Sequence, residues 1–275
     1  MNALDGKVAI VTGASKGMGS HFVDALVAAG ARVACVARAS AELAAVVARH
    51  GDSAAGFTCD VADAGGVDAM AAAVVATFGR IDILVNNAAI FEPFLLEEAM
   101  TGQVERHIGI NLLGPIWCMR ACIPHLRRSK GHIVTISSVS VRMPFPFLTV
   151  YAATKAAVET LSQGMRDELR EHQIRVTVLR SGSVAGSSGG ANWNPATAQR
   201  FFETIQRTGH AAFTGDMAEP QSMAAALVAL LSLPVDVNVD LIEVRSAFAA
   251  TSVLLTIAAA NRNPNSTGAT NADRQ

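Results

Sequence analysis

Tyrosine occurs once in these 275 residues, at Tyr151, and lysine only four times, at Lys7, Lys16, Lys130 and Lys155. Cysteine is confined to Cys35, Cys59, Cys118 and Cys122, without zinc-ligand spacing. That pattern excludes a disulfide scaffold and predicts reduced thiols packed in a core. Charge is sparse and balanced at a formal net −1, and the one cationic cluster is Arg127-Arg-Ser-Lys130. A nucleic-acid partner and electrostatic membrane docking are thereby excluded, which leaves a small neutral-to-acidic ligand. Long hydrophobic runs are missing as well: the longest nearly apolar stretch, Ala247 to Ala260, is too short to span a bilayer and predicts a buried or interfacial segment. The N-terminus shows no charged n-region followed by an apolar h-region, so a cytoplasmic location is expected.

Apolar residues are plentiful, at 51% of the chain, enough for a large core at this length. Strand and helix signals alternate with short breaks, which predicts βαβ units and a doubly wound parallel sheet of about seven strands with helices on both faces. Strands are expected near residues 7–12, 32–37, 55–59, 82–85, 131–137, 174–180 and 239–245. The longest helices are expected over roughly 101–128 and 151–172. One domain should cover residues 1–260. The last residues, 261–275, turn to Asn, Pro, Ser, Thr and Gly and are expected to form a disordered tail.

The single tyrosine stands four residues before a lysine, in Val150-Tyr-Ala-Ala-Thr-Lys155. On a helix that spacing puts both side chains on one face, where an ammonium favours the phenolate and lowers the tyrosine pKa from about 10. Such a tyrosine is a general acid/base for a carbonyl or an alcohol. Upstream, Gly131-His-Ile-Val-Thr-Ile-Ser-Ser138 reads as a buried strand that delivers hydroxyls at its C-terminal end, where open parallel sheets bind ligands. Ser137 should point to the face opposite Ser138. Near the N-terminus, the strand Lys7-Val-Ala-Ile-Val-Thr12 runs into Gly13-Ala-Ser-Lys-Gly-Met-Gly19 and then a helical pattern. Strand, glycine turn and helix in that order let backbone N–H groups approach a pyrophosphate.

Between Lys7 and Arg245 the sequence resembles the short-chain dehydrogenase/reductase family. The resemblance rests on Thr12-Gly-x-x-x-Gly-x-Gly19, Asn86-Asn-Ala-Ala89, Asn111, Ser138 and Tyr151-x-x-x-Lys155, in family order and spacing. It implies a Rossmann-like fold and hydride transfer between a nicotinamide and a ketone or secondary alcohol, with no metal. By the same resemblance Tyr151 moves the proton, Lys155 lowers its pKa and holds the nicotinamide ribose, Ser138 orients the carbonyl, and Asn111 holds a water linking Lys155 to solvent. Cofactor contacts are implied for Gly13, Ser15, Lys16, Gly17, Met18, Gly19, Asp60, Val61, Asn87, Ala88, Tyr151, Lys155, Gly182 and Val184, with Asn86 supporting the adenosine side. Asp60 is equally readable as a turn residue at a strand end. His107, one helical turn before Asn111, reads as structural.

The second strand, Arg32 to Ala37, ends without an acid, and Arg38 follows. A carboxylate at that strand end would hold the 2′-hydroxyl of NAD, whereas a cation accommodates the 2′-phosphate of NADP. Arg38 together with Lys16 therefore predicts NADP(H).

Three departures from the family pattern stand out: Ser181-Gly182 replaces Pro-Gly, which should loosen that turn. The usual threonine is missing near Gly186, with Ser183, Ser187 or Ser188 as substitutes. Ala89 adds a methyl where the backbone usually runs close. The glycine- and serine-rich stretch from Ser183 to Asn192 reads as a mobile lid. Val141 to Leu148 should wall the substrate pocket with Met143, Phe145 and Phe147, and Phe91, Phe94 and Trp193 should close over it, giving an apolar substrate face. Rival readings are a 3-oxoacyl reductase, which needs a basic surface such as Arg127, Arg128 and Lys130 for an acidic carrier, a 3-hydroxy-acid dehydrogenase suggested by Leu233 to Arg245, and a non-catalytic NADP-binding scaffold. The resemblance also implies a homotetramer.

Overall fold

Every residue of Val8–Thr12 (β1) is buried, as a strand covered on both faces must be, and its run of Val, Ala and Ile suits that position. The computed structural model describes residues 3–186 and 193–248. In it β1 is followed by Arg32–Ala37 (β2), Ala54–Thr58 (β3), Ile83–Asn86 (β4), His132–Ser138 (β5), Arg175–Ser181 (β6) and Leu241–Val244 (β7). All pair in parallel, in the order β3-β2-β1-β4-β5-β6-β7. This is the doubly wound, Rossmann-like sheet expected. Its order reverses between β1 and β4, and ligands bind outside the carboxyl ends of the strands at such a switch.

The helices are Gly17–Ala28 (α1), Ala41–Ala48 (α2), Ala64–Phe78 (α3), Thr101–Ile108 (α4), Gly114–Ser129 (α5), Thr149–Leu169 (α6), Pro195–Arg207 (α7), His210–Thr214 (α8) and Pro220–Leu231 (α9). Phe22, Val23 and Leu26 of α1 and Met223 and Leu227 of α9 cover one face of the sheet over Ala9, Val11, Val85 and Val134. Val67 and Val74 of α3 and Cys118, Met119, Cys122 and Leu126 of α5 cover the other, over Val8, Ile10, Leu84 and Ile133. All four cysteines are buried and free. Burial pushes the Cys35 and Cys118 thiols up to about 12, so they pack as small hydrophobes rather than react.

The long helix expected over 101–128 is continuous in direction but carries a π-helical turn, Gly109–Leu113, between α4 and α5. Pro115 brings no N–H to the carbonyl four residues back, that of Asn111, and a wider turn accommodates the loss. At the opposite end of the sheet Asp82, 2% exposed, accepts from the Val8 N–H at 3.0 Å and from Arg80 at 2.6 and 2.7 Å. The strand expected from residue 239 starts at Leu241, because the Asn238 side chain takes the Val176 N–H at 3.1 Å in place of a backbone carbonyl. No helix among the described residues is long and apolar enough to cross a membrane. Ser187, Ser188 and the rest of the expected lid through Asn192, the apolar run beyond Phe248 and the tail 261–275 lie outside the described residues.

Candidate active site

The turn after β1 is built for close approach. Gly13 has φ +68, and a Cβ there would meet the Ala88 Cα at 2.9 Å. A Cβ on Gly19 would overlap the Gly13 carbonyl oxygen. These positions accept glycine alone, and they leave α1 starting at Gly17 with no side-chain cap and no acid in its first turn. Its free N–H groups point to the switch of the sheet, the arrangement that receives phosphate. Thr12 and Asn87 lace the turn to β4: the Thr12 hydroxyl accepts from the N–H groups of Asn87 and Ala88 at 3.0 Å each, and the Asn87 amide donates to the Thr12 carbonyl at 2.9 Å. Ser15 and Met18 lie partly buried in this turn.

Other expected contacts divide. Arg38 and Lys16 are exposed, and Arg38 makes no ion pair among the described residues. Glu42, in the first turn of α2, was not anticipated. Its carboxyl is held below the usual range by its own backbone N–H, then by the Ser40 hydroxyl and the nearby Lys16 ammonium, so Lys16 already faces a carboxylate. Asp60 is tied into a turn, with its Oδ1 accepting from the Ala62 N–H at 3.0 Å; the turn reading holds for that oxygen. The Val61 side chain is buried against Gly114, where an added Cβ would meet it at 2.9 Å, which leaves only its backbone to face the cleft. Ala89 is exposed. Asn86 is buried, and neither polar atom of its amide has a partner.

At the end of β5, Ser137 and Ser138 face opposite ways, as strand alternation requires. Ser137 donates to Glu159 Oε1 at 2.6 Å. Ser138, whose Oγ accepts from the Ser140 N–H at 3.2 Å, lies near enough to the Tyr151 hydroxyl to pull its pKa down. Tyr151 lies in the first turn of α6, and one turn on, Lys155 is 5% exposed. The geometry corrects one expectation. The Lys155 Nζ donates to the Ile136 carbonyl at 2.8 Å and lies 5.8 Å from the centroid of the Tyr151 ring. Burial raises the Tyr151 pKa and Ser138 only offsets this; Lys155, itself pushed down to about 8 by burial, does not make the tyrosine a phenolate here. Desolvation is the largest influence on the phenol, and the ammonium is aimed at a carbonyl instead of the phenol oxygen.

Asn111 spends its side chain on holding neighbouring segments together. Its amide donates to the Ile90 carbonyl at 2.8 Å and to Thr154 Oγ1 at 3.2 Å, and its oxygen accepts from the Ile90 N–H at 2.8 Å. Both side-chain donors are spent on clamping the segment after β4 to α6, while its backbone carbonyl faces the missing N–H of Pro115. Thr154, which donates to the Tyr151 carbonyl at 2.7 Å, was missed by sequence reasoning. A hydroxyl three residues past the tyrosine was the available signal. His107 is structural: wholly buried, it bonds the Gln103 carbonyl at 2.8 Å and the Glu92 N–H at 3.3 Å, and burial holds its pKa below the ordinary value.

Residues 7–198 match the family described as short chain dehydrogenase. The chain belongs to the short-chain dehydrogenase/reductase family. It is similar to galactitol 2-dehydrogenase of Agrobacterium fabrum, 37% identical over 189 residues, which cover 66% of this chain and 72% of that protein. Among solved structures it resembles an alcohol dehydrogenase from the archaeon Thermococcus sibiricus complexed with 5-hydroxy-NADP, at TM-score 0.75 and 27% identity over 88% of this chain and 97% of the other. It also resembles a 3-ketoacyl-(acyl-carrier-protein) reductase from Brucella melitensis complexed with NADH, at TM-score 0.75 and 28% identity, with the same shares covered. The protein is thus an oxidoreductase of this family.

In this oxidoreductase the turn after β6 lacks proline but is held by backbone pairing. Gly182 N–H donates to the Val244 carbonyl at 2.8 Å, and Ala185 and Ala218 N–H groups donate to the carbonyls of Ala218 and Ser183 at 2.9 Å. Ser181 Oγ adds a bond to the Gly182 carbonyl at 2.9 Å. Val184 is buried at this pairing. The expected loosening is therefore offset. A charged network, also unforeseen, joins α6 to the outer strands: Arg180 bonds Glu159 at 2.9 Å and Glu243 at 3.2 Å, and Glu243 takes Arg142 at 3.0 Å and Arg245 at 3.4 Å.

The expected substrate wall is partly as read. Phe91 lies 5.8 Å from the Tyr151 ring and meets Trp193 edge-on at 5.3 Å, while the Trp193 indole donates to the Phe91 carbonyl at 2.9 Å. Phe145 and Phe147 are buried beneath, against His210 and Phe201. Met143 is half-buried. Phe94 does not close over the site, because it packs edge-on against the buried His107 at 5.3 Å.

Proposed function

We propose that the chain is an NADP(H)-dependent oxidoreductase that interconverts a ketone and a secondary alcohol, with an apolar substrate face. One observation carries this reading: Ser138, Tyr151 and Lys155 lie at the carboxyl end of β5, at the same end of the sheet as the glycine turn and the uncapped start of α1, an arrangement that suits a phosphate-bearing ligand. When bound there, the nicotinamide supplies or takes the hydride. Tyr151, protonated at neutral pH because burial raises its pKa, gives its proton to the carbonyl oxygen, and Ser138 holds that oxygen by a second hydrogen bond. Lys155 lies deep enough to hold the ribose and keep the proton supply positive. By the family resemblance Asn111 would hold a water that links Lys155 to solvent.

The NADP(H) preference rests on Arg38 and Lys16 and on the apolar Ala37 at the end of β2. Against a carrier-linked substrate stands the place of the basic cluster. Arg128 lines a cavity of about 240 Å³ with Arg80, His125 and Ser129, at the end of α5 that feeds into the start of β5. Tyr151 is at the other end of β5, roughly 20 Å away for a strand of that length. Turnover of a ketone panel with NADPH and with NADH, followed by nicotinamide absorbance, tests the reading; absence of reduction across the panel despite cofactor binding would leave the scaffold alternative.

A further inference from the structure

We propose that Phe91 and Trp193 form an aromatic slot beside Tyr151 that selects substrates carrying an aryl ring on the reacting carbon, an inference that rests on the carbonyl-reductase reading above. Tyr151, Phe91 and Trp193 are all half-buried and form a continuous run of rings, at 5.8 and 5.3 Å between centroids, which continues to Phe201 at 5.5 Å and Phe202 at 6.1 Å. Phe147, Phe145 and Phe201 behind it are buried, so the rings in front are backed by packed side chains and hold their orientation.

Apart from the Tyr151 hydroxyl, the wall offers ring faces and edges and, among the described residues, no free polar group. The Trp193 indole N–H is already given to the Phe91 carbonyl, so the one other donor in the run is spent on fixing the two rings to each other. Nearby cations are engaged as well. Arg200 is held by both oxygens of Glu98 at 2.9 and 3.0 Å and lies over the Phe147 ring. Arg142 and Arg245 share Glu243 and lie over Phe213. His210 uses one ring nitrogen on Thr208 Oγ1 and the other on the Pro144 carbonyl. Arg207 lines a separate groove of about 350 Å³ whose lining includes neither Tyr151 nor Phe91 nor Trp193.

A substrate bearing a carboxylate, a phosphate or a run of hydroxyls would lose hydration against this wall without gaining a partner. A saturated apolar group would gain burial alone. An aryl group gains burial and edge-to-face contacts with Phe91 and Trp193, whose ring planes stand at 88° to each other and so offer both a face and an edge. The specificity therefore separates this chain from polyol and keto-acid chemistry on the same fold.

The test compares acetophenone with cyclohexyl methyl ketone, of matching size, in the wild type and in Phe91→Leu and Trp193→Leu. Calorimetry of 1-phenylethanol and 1-cyclohexylethanol on the NADPH-loaded protein, where neither partner can accept a hydride, gives a second readout free of turnover. In each variant the aryl-over-cyclohexyl ratio of kcat/KM should fall about threefold to tenfold, the worth of one aromatic pair, with the same trend in the binding ratio. Ketones turned over with ratios unchanged by both variants, or a 3-oxo acid or ketose preferred over acetophenone, would overturn the slot and leave the reductase reading standing. Binding of 1-phenylethanol that weakens in the variants, with no ketone reduced, would support the slot and sink the reductase reading.

Discussion

Lys155 turns its ammonium to the carbonyl of Ile136, at 2.8 Å, and not to the hydroxyl of Tyr151 four residues before it. The tyrosine is consequently an acid by virtue of burial, and the lysine a cation near its titration point, pushed down to about 8. Reduction needs the protonated tyrosine and the charged lysine, so the rate of ketone reduction should fall as pH rises through about 8. A pH profile of kcat/KM flat from pH 7 to 10 would separate Lys155 from the reaction.

Tyr151→Phe removes the proton donor but keeps the ring that Phe91 packs on. Turnover should drop by roughly 10²- to 10⁴-fold, while cofactor affinity measured by fluorescence stays within error. Lys155→Ala should weaken both. Near wild-type rates in the phenylalanine variant would assign the chemistry to another group.

Arg38 has no carboxylate partner among the described residues, whereas Lys16 lies near Glu42. Arg38→Ala should therefore weaken NADPH binding more than Lys16→Ala, by about tenfold for the loss of charge-assisted bonds of about 1.5–3 kcal/mol, with NADH affinity little changed. Titration showing NADH bound as tightly as NADPH by the unmodified protein would contradict the preference.

His132 is buried in β5, with its Nε2 on Thr177 Oγ1 at 2.8 Å and its Nδ1 unpartnered. Burial, with help from the Arg175 charge, pushes its pKa down to about 3. The unfolded chain binds a proton there near pH 6.5 and the folded chain does not, so stability is full above about pH 6.5 and is lost as pH falls toward 3. In His132→Asn, urea unfolding between pH 6.5 and 4 should show a shallower decline than the wild type; identical slopes would place the acid sensitivity elsewhere.

The edge strand β7 leaves Leu241 40% exposed, with Val235 at 82% and Val237 at 41% beside it. An apolar sheet edge of this kind invites a partner, and the family resemblance implies self-association, there through the two long helices expected over 101–128 and 151–172. Light scattering at micromolar concentration should give a multiple of 28.6 kDa, and the monomer mass would refute self-association.

Much of this architecture was legible without coordinates. Strand boundaries such as 32–37 coincide with β2 because a parallel strand covered on both faces must be apolar along its buried run, here residues 33–37. Gly13 and Gly19 were identifiable because no larger residue fits where backbone meets backbone. The rarity of tyrosine and lysine made Tyr151 and Lys155 stand out by themselves. What depended on three-dimensional packing is where each polar atom spends its hydrogen bonds. Spacing put Lys155 on the same helical face as Tyr151, but only the passage of β5 beside α6 decided that the ammonium would take the Ile136 carbonyl. The Asn111 amide goes to Ile90 and Thr154, partners that no spacing in the sequence announces. Phe94 and Phe91 have similar chances by composition, and their opposite fates were set by the neighbours that tertiary folding supplied, His107 for one and Tyr151 for the other. Local pattern determines which face of an element is apolar, whereas long-range contacts determine which partner a given side chain meets there.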